Sequence, residues 1–467
     1  AGADVRAGRE LPLRPVRGDT WLELRRSVLW PGRETTVSLV TTNRGTAAIR
    51  DLDAVLEVPA GIEVVGPDRG TLPAAFPGVR TRLDFRVRAV DQLPLGRLIC
   101  RWEARDGTTG RAEAEIVVGV SPPAPAQAPS DAVVLRSPAA LLVFPRNDFG
   151  YGIGWLYARS GDETEPVGVI PRLGRLWKPG DSGAGLPLYA ERAEPVSEGR
   201  LYGLPPEGAT VAGVRFRVES PQLGQYGIAG DIRVSFRLPT EASDTAADRL
   251  VTCEVEAPVR QEGRIGGLAL PPLLVGENAS SPDRDEALFP GLEWLVDDEL
   301  SSWYDDIEPD HADRIRHIVH PHRNTVPLMA VRRGAVLGGV FWHPRGTWNN
   351  GADRPDLPPD ASDTDRLTPV FASPDRFRGR ASHTTGLLLP TVPAYLAPDS
   401  RTSEHGWPAQ GVEADRVRAS CAFYVRTGAQ SVLEAVRDWV AVFGLPVPRP
   451  LPRVGESLLP EETVQAI

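Results

Sequence analysis

Residues 214–218 read VRFRV, and this strict alternation of apolar and arginine side chains is typical of a β-strand with one buried face. The same alternation recurs in IRVSF at residues 232–236 and in LVTCEV at residues 250–255. Gly- and Pro-rich connections separate such runs, and apolar residues at helical spacing are rare among them. The sequence therefore predicts one large antiparallel β-sandwich, which we place at residues 132–426.

A second group of short alternating runs lies towards the N-terminus. It includes TVSLV at residues 36–40, LDFRV at residues 83–87 and LICRW at residues 98–102, with turn residues between the runs. This density of short strands is typical of an immunoglobulin-like sandwich, which we place at residues 20–120. Residues 1–19 are expected to form an irregular arm, and the proline-rich residues 121–131 a semi-rigid linker.

Helical periodicity is clear only in QSVLEAVRDWVAVF at residues 430–443. Ser431 and Glu434 fit a capping box, and Gly444 and Pro446 supply a stop. We expect an amphipathic helix within residues 427–445, followed by a proline-rich tail at residues 446–467. Its apolar face needs a surface to pack against, and a following helical domain or a second chain could pack on residues 431–443.

The predicted fold class is therefore all-β: an N-terminal Ig-like sandwich, a large antiparallel super-sandwich and one C-terminal amphipathic helix.

The net charge of −10 and the scattered arginines argue against a nucleic-acid partner. No run of about 18 apolar residues is present, so no membrane span is expected. The chain starts at Ala1 without a signal-peptide pattern, which we interpret as a processed end of a secreted or cell-envelope protein. The short tail after the last proline-rich stretch leads us to expect that the natural chain continues past Ile467.

The chain contains three cysteines, Cys100, Cys253 and Cys421, which are far apart in sequence. Their spacing does not match a zinc site. Cys100 and Cys253 lie in apolar strand-like segments, which favours buried free thiols. A disulfide between two of the three is the alternative.

Histidine and tryptophan are concentrated around one part of the large sandwich. All seven histidines fall between His311 and His405, and five of the eleven tryptophans lie in nearly the same window. Indole rings can stack on the C–H face of a sugar, while imidazole, amide and carboxylate groups can bind its hydroxyls. The sequence therefore predicts a glycan-binding cleft whose candidate residues are Glu293, His320, His322, Trp342, His343, Trp348 and Asn349.

Three other interpretations of this region of the sequence remain open. His320 and His322 share one face of a strand, so they could hold zinc if His343, Glu293 or Asp297 supplied a third ligand. The same tryptophans and histidines could instead fill the core and close the end of the sandwich. The acidic residues of segment 297–313 could bind calcium, although a solvated acidic loop is the simpler interpretation. We assign no metal or other cofactor on this basis.

Two sets of phrases resemble known bacterial proteins. PGRE at residues 31–34, NRG at 43–45 and VPAGI at 58–62 resemble the small Ig-like domain attached to some bacterial α-galactosidases. EALFPGLEWL at residues 286–295, with TVPLMA at 325–330 and PVFASP at 369–374, is similar to a galactose-mutarotase-like super-sandwich. In such glycoside hydrolases this sandwich precedes an (α/α) toroid that carries the catalytic carboxylates, so the resemblance implies no catalytic residue in this chain.

These observations lead to three functional hypotheses. The first is the N-terminal, non-toroid part of a secreted glycoside hydrolase that binds an oligo- or polysaccharide. The second is a non-catalytic glycan-binding or envelope structural protein. The third is a mutarotase-like isomerase that uses a His/Glu pair for proton transfer, formed by His320 or His322 with Glu293 or Glu404. Whether the chain is an enzyme stays open at this point.

Overall fold

A computed structural model of the 467-residue chain provides the structure. It describes residues 19–24, 28–29, 31–43, 46–91, 93–118, 130–147, 149–179, 185–199, 201, 210–243, 245–260, 264–276, 284–297, 299–301, 324–343, 366–374, 383–389 and 412–445.

The described residues form thirty strands, two short 3-10 helices and one α-helix. The first nine strands are β1 (Asp19–Leu24), β2 (Val28–Leu29), β3 (Glu34–Thr42), β4 (Ile49–Glu57), β5 (Ile62–Val64), β6 (Arg69–Ala75), β7 (Arg80–Ala89), β8 (Leu93–Glu103) and β9 (Thr109–Val118). The next thirteen are β10 (Val133–Arg136), β11 (Ala140–Phe144), β12 (Gly154–Ser160), β13 (Glu163–Ile170), β14 (Arg175–Trp177), β15 (Leu186–Pro187), β16 (Arg192–Val196), β17 (Val211–Val218), β18 (Ile232–Pro239), β19 (Leu250–Pro258), β20 (Arg264–Ile265), β21 (Gly267–Ala269) and β22 (Leu273–Val275). The last elements are β23 (Glu286–Phe289), β24 (Glu293–Val296), β25 (Leu328–Arg333), β26 (Val336–Phe341), β27 (Thr368–Ala372), β28 (His383–Leu389), β29 (Val412–Glu413), β30 (Arg416–Arg426) and α1 (Leu433–Phe443).

Strands β1–β9 form the N-terminal sandwich. One sheet has the order β1-β3-β7-β5 and the other the order β2-β9-β8-β4-β6. Alternate residues such as Leu39, Leu56 and Phe85 point between the two sheets and form their own apolar core. The predicted Ig-like sandwich is confirmed as a two-sheet β-sandwich.

Two larger sheets form the second sandwich. Nine strands lie in the order β16-β17-β18-β19-β30-β26-β25-β23-β24, and ten others lie in the order β10-β11-β12-β13-β22-β28-β21-β14-β15, with β27 on β28. The core between them is rich in aromatic rings: Phe144 lies 4.7 Å from Phe216 and 4.9 Å from Phe236, between ring centroids. All strand pairs in the two large sheets are antiparallel, so the predicted fold class is confirmed.

Helix α1 covers part of the outer face of the nine-stranded sheet. Its buried side chains include Ala435 and Trp439, which pack with Leu288 and Tyr424 on the strands below. The helix begins at Leu433, inside the predicted range. Half of the predicted capping box forms, because the Glu434 carboxylate accepts hydrogen bonds from the N–H groups of Gln430 and Ser431. The other half differs from the prediction, since Ser431 Oγ accepts the Leu433 N–H instead of the Glu434 N–H.

The two sandwiches touch through a small apolar cluster. Val117 of β9 packs with Trp155 and Tyr157, whose side chains point to the outer face of the ten-stranded sheet. The proposed linker at 121–131 lies mostly outside the described residues, so the exact domain boundaries remain a prediction. All three cysteines are buried and carry free thiols, as the sequence predicted.

Candidate functional site

The structure describes three of the seven predicted glycan-binding residues: Glu293, Trp342 and His343. The other four, His320, His322, Trp348 and Asn349, lie outside the described residues. The acidic segment proposed for calcium also falls mostly outside them. Within the described part of the chain, no three His, Cys, Asp or Glu side chains are grouped closely enough to hold a metal ion.

Antiparallel pairing brings the three described residues to one end of the nine-stranded sheet. Strands β23 and β26 both run antiparallel to β25, so β23 and β26 end at the same side. Glu293 opens β24 at that side, opposite Phe289, and Trp342 and His343 follow the end of β26. Three strand spacings of about 4.8 Å each separate β24 from β26, so Glu293 and Trp342 occupy different parts of this edge.

The Trp342 side chain belongs to the interior. It is 6% exposed and packs in the core between the two large sheets. Its backbone N–H donates to the Pro327 carbonyl at 3.1 Å, and its carbonyl accepts the Trp439 indole N–H at 3.3 Å. The indole therefore stabilises the sandwich end and presents almost no ring face to a ligand in this structure.

His343 lies between the sandwich and the end of α1. Its ring is half-buried and meets Phe443 edge-on, with 5.6 Å between the ring centroids. Phe443 in turn packs against Trp439 at 5.1 Å. The imidazole therefore has one side against the helix, directly before residues 344–365, which include Trp348 and Asn349.

Glu293 takes part in a buried chain of hydrogen bonds that joins the two large sheets. The Ser301 hydroxyl donates to Glu293 Oε2 at 2.8 Å, and Ser301 Oγ accepts the Ser373 N–H at 2.8 Å. Ser373 Oγ lies 2.8 Å from His383 Nδ1. Glu293 belongs to β24 of one sheet, while Ser373 and His383 follow β27 and open β28 of the other.

The four residues of this hydrogen-bond network are buried. Glu293 is 8% exposed, Ser301 is 4% exposed, and Ser373 and His383 are 0% exposed. A buried carboxylate and a buried imidazole need hydrogen-bond partners, and the two serines supply them. The sequence did not single out Ser301, Ser373 or His383, because only the pairing of the sheets brings them to Glu293.

An exposed tryptophan lies on the other face of the same edge strand. Side chains alternate along β24, so Glu293 and Leu295 point inward while Trp294 and Val296 point outward. Trp294 is 54% exposed, which is unusual for so large an apolar ring. Trp294 is one of the five clustered tryptophans, but the sequence alone did not show that this one is exposed.

Glu286 lies beside Trp294 on the same face. Burial by itself raises the pKa of Glu286, but hydrogen bonds from Arg332, the Val432 N–H and the Trp294 side chain leave that pKa below its ordinary value. The Arg332 bond is 2.7 Å long and the Val432 bond 2.9 Å. Trp294 therefore borders a carboxylate that stays ionised near neutral pH, a combination of apolar ring and polar acceptor that suits a sugar.

No helix in the described residues is long and apolar enough to cross a membrane.

Comparison with known proteins gives partial likenesses only. No family model and no curated protein sequence matches the chain. Among solved structures, an α2-macroglobulin fragment from Escherichia coli is similar over 28% of this chain and 20% of its own length, at 19% identity and a TM-score of 0.21. The chain thus spans about a fifth of that fragment.

Two other solved structures are similar to parts of the chain at comparably low identity and TM-score. A cohesin module from a family 33 glycoside hydrolase of Clostridium perfringens is covered over 97% of its length by 22% of this chain, at 14% identity and a TM-score of 0.18. The sporulation control protein Spo0M of Bacillus subtilis is covered over 79% of its length by 51% of this chain, at 12% identity and a TM-score of 0.17. TM-scores this low carry no argument about function, so the function has to be inferred from the side chains of this chain.

Proposed function

We propose that this protein binds a glycan at the β24 edge of the large sandwich, as part of a secreted or cell-envelope carbohydrate-active protein. The observation that carries the proposal is the exposed Trp294 indole beside the ionised Glu286 carboxylate. An indole supplies a flat apolar surface for the C–H face of a pyranose, and a carboxylate accepts hydrogen bonds from its hydroxyls. The predicted residues His320, His322, Trp348 and Asn349 complete the proposed cleft.

The buried hydrogen bonds that link Glu293 to His383 support the proposal because they hold Ser301 in place at this edge of the sandwich. Residues 302–323, which include His320 and His322, follow directly after Ser301 in the sequence. Ser301 is held from both sides, by Glu293 and by Ser373. The described backbone at this edge is therefore held in place by side-chain hydrogen bonds, and a positioned edge loses less conformational entropy when a ligand binds.

The proposal assigns Glu293 a positioning role and assigns no catalytic residue. Glu293 and His383 have the chemistry for proton transfer, but both are buried and linked through serines. The two β-sandwiches support the proposal, because the resemblance to glycoside hydrolases implies an Ig-like domain and a mutarotase-like super-sandwich ahead of a toroid. Retention of a polysaccharide without release of reducing ends would fit a binding role, whereas release would extend the proposal to hydrolysis.

Affinity electrophoresis of the full chain in gels that contain galactan, mannan, xylan or β-glucan tests the proposal. At least one polysaccharide should retard the protein. The substitution Trp294→Ala should weaken that binding about tenfold or more, which corresponds to about 1.4 kcal/mol. Trp294 is preferred to Trp342 for this test because Trp342 is a core side chain whose removal would disturb the fold.

Phe76→Ala provides a matched control. Phe76 is 56% exposed on the N-terminal sandwich, so its removal deletes a similar apolar surface far from β24 in the sequence. Binding should be unchanged in this variant. The proposal is wrong if no polysaccharide retards the wild-type chain, or if Trp294→Ala and Phe76→Ala bind equally well.

A further inference from the structure

Two of the three cysteines are direct neighbours across the sheet. Cys253 on β19 and Cys421 on β30 are Cα partners in the antiparallel register, although about 170 residues separate them in the chain. Opposed residues in antiparallel strands have Cα atoms about 4.5–5.5 Å apart, and disulfides bridge Cα atoms about 4.4–6.8 Å apart. Both side chains point into the core between the large sheets. The Cα spacing expected for this pair therefore lies within the range that a disulfide bridges.

The two thiols touch each other and are shielded from solvent. Cys253 is 0% exposed and Cys421 is 1% exposed. Burial raises the pKa of Cys253 well above its ordinary value, and a hydrogen bond with Cys421 raises it further. Since the thiolate is the form that reacts, these thiols are protected from dissolved oxidants while β19 and β30 are paired.

The third cysteine lacks this arrangement. Cys100 on β8 has Leu56 and Ala112 as its partners on the neighbouring strands. It lies in the core of the N-terminal sandwich, where burial raises its pKa to about 12. It therefore serves as an internal reference for a buried thiol without a cysteine opposite it.

We propose that Cys253 and Cys421 form a cross-strand disulfide when the chain folds in an oxidising compartment, and that the closed sandwich preserves whichever redox form it enclosed. The pairing of β19 with β30 joins the first four strands of the nine-stranded sheet to the other five. A covalent bond at this position fastens the two halves of the sheet to each other.

The reaction is a thiol–disulfide exchange with a small disulfide such as oxidised glutathione, or with the disulfide of an oxidoreductase. One cysteine thiolate attacks the small disulfide, forms a mixed disulfide and releases one thiol. The second cysteine then attacks the mixed disulfide and releases the second thiol. The protein loses two protons and two electrons. The small disulfide takes up these protons and electrons and becomes two thiols. Because the sulfur atoms are enclosed in the native sandwich, the exchange takes place before β19 and β30 close.

Thiol counting on the full chain tests the proposal. Protein produced in the reducing cytosol of a bacterium should show three free thiols after denaturation. Protein produced in the oxidising periplasm should show one, and peptide mass spectrometry should find Cys253 linked to Cys421. Three free thiols in the periplasmic protein, or a link that involves Cys100, would overturn the disulfide.

A second experiment tests whether the fold preserves the redox form. Folded, reduced protein should keep three thiols during hours with oxidised glutathione, while the same protein in denaturant should react. Rapid loss of two thiols from the folded protein would overturn the protection.

Thermal unfolding then measures the effect of the bond. The oxidised wild type should melt about 5–10 °C higher than the reduced wild type, because the bond restricts a long loop in the unfolded chain. Cys100→Ala should retain this difference and Cys253→Ala should abolish it. Equal melting temperatures of the oxidised and reduced wild type would show that the bond does not fasten the two halves.

Discussion

Asp438 shows how one side chain can connect a helix to a sheet. Its carboxylate is buried and accepts hydrogen bonds from Arg249 at 2.8 Å, from Arg426 at 2.9 Å and from the Tyr424 hydroxyl at 2.6 Å. Burial, and after it the nearby Asp438 charge, raise the pKa of Tyr424, so the phenol remains a donor. Asp438 therefore balances the charge of two arginines beneath α1 and accepts the hydrogen bond of one hydroxyl.

Replacement of Asp438 should be costly for that reason. Asp438→Ala leaves Arg249 and Arg426 without their shared carboxylate, and we expect the free energy of unfolding to fall by about 3 kcal/mol. Urea denaturation of wild type and variant measures the difference. Glu57→Ala is the control, since Glu57 pairs with Arg101 on an exposed face where such pairs contribute less than about 1 kcal/mol. Equal losses in the two variants would contradict the role assigned to Asp438.

At the scale of elements, α1 depends on a specific start as well as on its apolar face. Glu434 accepts hydrogen bonds from the N–H groups of Gln430 at 2.7 Å and Ser431 at 3.3 Å, and it pairs with Arg426. These N–H groups precede the first turn and have no partner within the helix. The carboxylate thus holds both the helix start and the strand end that carries Arg426.

We expect Glu434→Ala to destabilise the start of α1 by about 1 kcal/mol. Hydrogen exchange should speed up first in the amides of Leu433–Phe443, while the amides of β19 and β30 should change little. Arg437→Ala changes an exposed residue on the same helix that acts on Glu434 only through its charge, so it should speed up exchange less than Glu434→Ala does. Uniform acceleration across sheet and helix would instead indicate that α1 unfolds only together with the sandwich.

The β-elements show which local features the sequence could predict. Alternation in segments such as residues 214–218 and 232–236 correctly indicated strands, because a half-buried strand has to present apolar side chains every second residue. The same rule could not say which strands pair. One neighbour of β19 in the sheet is β18, the preceding strand, but the other is β30, which is more than 150 residues further along the chain.

At the scale of the whole molecule, several carboxylates make stability depend on pH. Burial alone raises the pKa of Glu254, but hydrogen bonds from Arg418 and Arg237 outweigh it and leave that pKa below its ordinary value. Hydrogen bonds also leave the pKa values of Glu286 and Glu434 below the ordinary value. A depressed folded-state pKa means that the native state binds its proton less readily than the unfolded chain does.

We therefore expect the large sandwich to lose stability in acid. The contribution of these carboxylates is complete above the ordinary glutamate pKa of 4.5 and declines as the pH falls below it towards their folded-state values. Urea denaturation between pH 7 and pH 3 should show this decline, and Glu254→Gln should make it shallower. A wild-type stability that stays constant down to pH 3 would contradict the assignment.

The candidate site could be predicted from the sequence only in part. The concentration of histidine and tryptophan indicated a region, and Glu293, Trp342 and His343 do lie at one end of one sheet. The sequence could not reveal that Trp342 faces the core while Trp294 faces solvent, because burial depends on what the other sheet and α1 cover. It also could not reveal the link from Glu293 to His383, since the two residues belong to different sheets.

The sequence by itself determined the class of the fold, the two sandwiches, and helix α1 with the Glu434 carboxylate at its start. These properties follow from local periodicity and local hydrogen bonding, which act over a few residues. The tertiary structure decided the order of the strands, the opposition of Cys253 and Cys421 and the buried connection between Glu293 and His383. Those features depend on contacts between distant segments, and such contacts form only when two sheets with matching apolar faces close over a shared core.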